Sequence, residues 1–130
     1  MAGKYVRFVT HQKDEVTGLD IGFFQAAYRL WRENRLPSDD DKALRDHLDW
    51  FKDMLDAPRR FHRSTNPHAH GKGLSWFKPE ANEHIGRARQ IVRILERHGV
   101  QSEMLTTLKP GYLLHEDEFQ ICAVPFKEGA

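Results

Sequence analysis

Between Pro79 and Gly99 the apolar residues recur at a spacing that suits a helix. Ala81, Ile85, Ala88, Ile91, Val92 and Leu95 trace one face. Pro79 fits a first turn, where a backbone N–H has no partner to lose, and Gly99 fits the left-handed position just past the last turn. Short β-type segments lie on both sides, LSWF at 74–77 and an alternating stretch at 100–108. A strand, a helix and a strand in succession normally make a right-handed crossover between parallel strands. The rest of the chain has to be built around that unit.

Upstream, KYVRFVT (4–10) alternates and is rich in aromatic and β-branched residues, so it reads as the first strand. HQKDEVTG (11–18) is polar and reads as a loop. Asp20 is placed to cap a helix over about 21–34 by accepting from free backbone N–H groups. Phe24, Ala27, Tyr28 and Trp31 recur at helical spacing there, with Phe23 and Leu30 alongside, a face wide enough to predict deep burial. Asn34 and Pro37 end it. Ser38 opens a second helix, and Asp39, Asp40 and Asp41 place carboxylates at the positive end of its dipole. Leu44, Leu48, Phe51 and Leu55 form its apolar stripe, with Trp50 and Met54 beside it. Consecutive helical residues point in different directions, so the aspartates read as a helix start and not as a metal site.

Downstream, Pro110 and Gly111 occupy the centre of a type II turn. Residues 112–115 and 119–126 then pair as a hairpin across Glu116, Asp117 and Glu118, read as a solvated tip. Pro125 marks an edge strand or a strand end. The order β-α-α-β-α-β-β-β predicts an α+β two-layer domain. Its mixed sheet of about five strands would carry three helices mainly on one face. Residues 1–130 read as a single domain.

Composition narrows the class. A chain of 130 residues that is 39% hydrophobic can fill one core without a metal or disulfide staple. The single cysteine, Cys122, lies in the apolar run FQICAVPF and reads as a buried thiol in a reducing compartment. The start of the chain lacks the apolar core of a signal peptide, and no apolar run reaches membrane-spanning length. These features predict a cytoplasmic protein that does not enter membranes.

Three stretches together carry a resemblance: GFFQAAYRLW (22–31), WFK (76–78) leading into A-x-x-HI (81–85), and HGV…ML-x-T-x-x-PGY…EDEFQI-x-A-x-PF (98–126). They resemble a family of short bacterial proteins without an assigned function. The resemblance covers most of the chain and implies a single bacterial domain. It implies no activity, substrate or site.

The charge layout points to a candidate site. Residues 59–99 carry nine Lys/Arg and three Asp/Glu, net +6, while the rest carries eleven and sixteen, net −5. The run 59–78, RRFHRSTNPHAHGKGLSWFK, has no carboxylate in a chain that is 30% charged. Arg59, Arg60, Arg63 and Lys72, with the backbone N–H groups of Gly71 and Gly73, are suited to hold a phosphate or carboxylate. Trp76 is the candidate ring for stacking a base. Because Trp76 and Phe77 are adjacent in a strand, at most one of them lines that surface.

His62, His68 and His70 are the candidate proton carriers. His68-Ala69-His70 has two of a metal site's ligands, but no spacing supplies the others, so neither metal nor cofactor is expected. HAHGKG lacks the third histidine of a histidine-triad hydrolase, and His62-Arg63-Ser64 lacks the second copy that paired acid–base phosphodiesterases need. GKG lacks the spacing of a phosphate-binding P-loop. The resulting expectation is a non-catalytic module binding an anionic ligand, an acidic protein surface or a nucleic acid through 59–72. The alternative is a small enzyme acting on a phosphorylated or nucleotide-like substrate with the same arginines and histidines. Abundant aromatics and an open sheet face also allow a homodimer.

Overall fold

In the computed structural model of the protein, residues 3–16, 18, 20–55 and 73–126 are described. They form β1 (Tyr5–Lys13), β2 (Asp20–Gly22), α1 (Phe23–Arg32), α2 (Ser38–Met54), β3 (Leu74–Phe77), α3 (Asn82–Arg97), β4 (Ser102–Thr107), β5 (Tyr112–Glu116) and β6 (Gln120–Val124). The chain is an α+β fold, as its element order predicts. Its backbone groups into two compact units that divide β1 between Arg7 and Phe8. The first contains described residues 3–7, 73–82 and 106–126, and the second contains 8–16, 18, 20–55 and 83–105.

The first unit is built from strands. β3 pairs antiparallel with the start of β1, Val6 opposite Phe77, and with β6, Ser75 opposite Cys122 and Trp76 opposite Ile121. β5 closes the other side of β6, with a register shift between Leu113 and His115. β6 has a neighbour on each side and is buried over Gln120 to Ala123. Pro125 follows its last residue, so it ends an interior strand. Gly111 has φ +134°, and a Cβ there would run into the carbonyl oxygen of Val124, so this position requires glycine.

The second unit gathers the helices. Phe8 of β1 meets Phe23 of α1 edge-on at 5.8 Å, and Phe23 meets Phe51 of α2 at 6.0 Å. Leu44, Ala88, Ile91 and Leu95 are fully buried, so α3 presents the face that its periodicity predicts. Thr10 is buried as well, and its hydroxyl donates to the Ile21 carbonyl at 3.1 Å. Asn34 (φ 54°) and Gly99 (φ 83°) take the left-handed conformation that ends α1 and α3.

Several expectations are corrected. β1 does not stop at Thr10. It continues through His11, Gln12 and Lys13, because β2 pairs with it and the His11 N–H donates to the Gln101 carbonyl at 3.1 Å. Pairing there outweighs the polar composition that suggested a loop. Asp20 caps nothing: it lies in β2, and its carboxylate meets Lys13 at 2.6 Å. The chain enters α1 directly from β2, with Gly22 at the cap position and no side-chain cap bond. Ser38 is already helical, Pro37 precedes it as the cap residue, and the three aspartates fill the first turn as expected.

The sheet is antiparallel in place of mixed, with six strands in place of about five. β3 and β4 do not form a parallel pair; each pairs with β1. The crossover rule holds only when the second strand returns alongside the first, and here α3 leads from one unit into the other. Among the described residues no helix is long and apolar enough to cross a membrane.

Candidate functional site

Of the residues singled out by sequence, Arg59, Arg60, His62, Arg63, His68, His70 and Lys72 lie outside the described residues. Trp76 is described. It sits in β3 with 9% of its surface exposed, and Phe77 beside it is also buried. Adjacent strand residues point to opposite faces, so both faces of β3 are covered. The Trp76 indole offers no open ring face for stacking. What it offers is a donor: its Nε1–H is buried and has no acceptor among the described residues.

A second donor lies close by in the backbone. Val6 pairs with Phe77, so Arg7 and Trp76 occupy the next positions along this antiparallel pair. Arg7 is half-buried, its Nε has no acceptor, and it has no ion pair among the described residues. Burial works against its charge. A guanidinium nevertheless stays protonated at neutral pH, so it remains a cation without a carboxylate partner among the described residues. Sequence reasoning missed Arg7. Its only signal was a cation inside an otherwise β-type run, which equally fits the solvent side of a strand.

Cys122 lies on the face opposite to Trp76. Ser75 stands opposite it across β3 and β6 and hydrogen-bonds to the thiol. Burial pushes the thiol up from its ordinary range, and this outweighs the opposing effects of Ser75 and Arg7. The group therefore stays a neutral thiol near pH 7 and is a poor nucleophile. Arg7 and Trp76 each bring a buried N–H without an acceptor among the described residues, and Cys122 supplies no thiolate.

In the acidic turn of the same unit Glu116 and Glu118 are exposed, as a solvated tip requires, whereas Asp117 is tied into the structure. Asp117 accepts from the Phe119 N–H at 2.9 Å, the Gln120 N–H at 3.1 Å and the Gln120 side-chain amide at 3.0 Å, with His115 Nε2 at 3.1 Å. Burial works to raise its pKa, and these donors together bring it below the ordinary range. Glu116 instead meets Lys78 at 2.7 Å. The two carboxylates are thus committed to different partners, and no catalytic dyad forms here.

In the second unit, one carboxylate ties two helices together. Asp40, in the first turn of α2, receives Arg97 at 2.7 Å and His98 at 2.8 Å from the end of α3. Hydrogen bonds from Arg97 and then His98 hold its carboxyl below the usual range. The Arg89, Arg93 and Arg97 stripe is therefore not uniformly solvated. Nearby, Arg87 lies over the Trp50 ring at 5.0 Å with its guanidinium 3.3 Å from His47 Nδ1. His84 is buried on the apolar face of α3, with its Nε2 2.8 Å from the Met54 carbonyl. It is a core histidine with a backbone partner.

Two of the basic residues in 59–99, Lys78 and Arg97, thus pair with acidic residues outside that segment. Part of the charge asymmetry is balanced within each unit. Among the described residues no cluster of three or more His, Cys, Asp or Glu side chains could hold a metal ion. No protein-family model, curated protein or solved structure matches the chain. The resemblance to short bacterial proteins has no counterpart in these comparisons.

Proposed function

We propose that the protein is a small bacterial cytoplasmic binding module for an anionic ligand, taken through the basic segment 59–72 with Arg7 as an additional cation. The observation that supports this reading is the charge of Arg7, which has no carboxylate partner among the described residues. A half-buried guanidinium with an unpaired Nε–H is costly to keep, and a bound carboxylate or phosphate would offset that cost. The covalent chain adds to it, because acid-free residues 59–72 lead within one residue to β3, the strand that pairs with the Arg7 end of β1. Lys78 does not count toward the site, because Glu116 already engages it.

The test titrates the full chain with pyrophosphate, with oligothymidylate and with a polyglutamate peptide at several salt concentrations. Saturable binding of at least one should weaken as salt rises, because exposed charges are screened over about 10 Å at 0.1 M. Arg60→Ala with Arg63→Ala, and separately Arg7→Gln, should each weaken it. Arg89→Ala with Arg93→Ala, on α3, should leave it nearly unchanged. Salt-independent binding, or equal loss from the α3 pair, would overturn the assignment. Turnover of a phosphorylated compound that vanishes with His62→Ala, His68→Ala or His70→Ala would favour the enzyme reading instead.

A further inference from the structure

The helix α1 was expected to bury its aromatic stripe. It does so only in part. Phe23, Ala26 and Ala27 form its buried side, leaving Tyr28 41% and Trp31 37% exposed. Arg32, four residues after Tyr28, is also exposed and donates its Nε–H to the Tyr28 carbonyl at 3.2 Å, which lays the guanidinium back along the helix. Arg29 and Arg35 add charge near the same end of the helix.

We propose that this face of α1, formed by Tyr28, Trp31 and Arg32, docks an acidic protein segment that carries apolar side chains. Tyr, Trp and Arg are the residue types most enriched among those that dominate protein–protein binding energy. The charge is available. Lys13, Arg45 and Arg97 elsewhere in this unit each have a carboxylate partner, whereas Arg29, Arg32 and Arg35 have none among the described residues. The nearest acid in sequence is Glu33 alone. A second copy of this face is a poor occupant, since it would bring arginines to arginines and no carboxylate except Glu33. A nucleic acid fits less well too. Each ring keeps more than half of its surface covered, which leaves less area for a stacked base than a free ring has. Partly exposed rings on the same helix face as a positioned guanidinium suit an apolar side chain next to a carboxylate. The surface is distinct from the site proposed above and does not depend on it.

The probe is a synthetic peptide with Glu and Leu at helical spacing, titrated into the isotopically labelled full chain and followed by amide and indole NMR shifts. The expected result is saturable movement of the Trp31 indole N–H and of backbone amides 25–35, weakened by salt and absent with a Gln/Leu peptide. Trp31→Ala and Arg32→Glu should each weaken binding by about tenfold, as loss of a dominant contact does. If Trp31→Ala does not fold, the exposed Arg32→Glu carries the test. Arg60→Ala with Arg63→Ala should leave these shifts in place, which separates this surface from the basic segment. No saturable shift, equal binding of the neutral peptide, or saturation of the same amides by oligothymidylate would each overturn the proposal.

Discussion

Ile91→Ala is the sharpest probe of how the second unit is held together. Ile91 lies on α3 with no exposed surface, in a core with Leu44, Ala88 and Leu95. The change removes three carbons, worth about 2.4 kcal/mol at about 0.8 kcal/mol per buried methylene. The space left behind does not fully close and adds about 1 kcal/mol, within the 2–5 kcal/mol range of such substitutions. Alanine is the better helix former and returns about 0.4 kcal/mol. The expected net loss is about 3 kcal/mol. With an unfolding entropy of about 2.1 cal/mol/K per residue over 130 residues, one cooperative transition should move down by roughly 10 °C. Urea unfolding followed by circular dichroism measures the loss directly, with the slope expected to stay unchanged. Arg93→Ala, on the exposed side of the same helix, should change stability by no more than about 0.5 kcal/mol. An Ile91→Ala loss no larger than that control would refute the packing argument.

Two further predictions follow from the same packing. Gly111→Ala should cost more than about 1 kcal/mol, since its backbone is left-handed and the Val124 carbonyl fills the space a methyl would need, whereas Gly86→Ala, in α3 with nothing close to a new Cβ, should add about 0.5–1 kcal/mol; urea melts of both variants check the contrast. Stability should also fall in acid in two steps. Burial first, and Arg87 second, lower the pKa of His47, so its contribution is intact above its ordinary 6.5 and erodes as pH drops below that value; the lowered Asp40 contributes above its ordinary 3.8 and is lost as pH falls through its native value. Measured between pH 8 and pH 5, His47→Asn should flatten the upper step, and an unchanged slope would remove His47 from the account.

Features set by a few neighbouring residues are legible in the sequence of this protein. The periodic face of α3, the left-handed Asn34 and Gly99 and the β5–β6 hairpin each depend on contacts a short distance along the chain. The acid-free run 59–78 is legible in the same way, as composition. What needed tertiary structure is what distant residues decide. A three-residue strand such as β2 has too little periodicity to announce itself, and exists because β1 offers it a partner. The direction of β3 is set by β1 and β6, which lie far from it in sequence. Asp40 looks like any first-turn aspartate until Arg97, 57 residues away, comes within hydrogen-bonding distance. Arg7 looks like an ordinary strand cation until burial leaves its Nε–H without an acceptor. The exposure of Tyr28 and Trp31 makes the same point. An amphipathic pattern says that a helix has an apolar side, but the width of that side exceeds what Phe23, Ala26 and Ala27 need for the core, and only the packing of the other elements determines which rings remain in water.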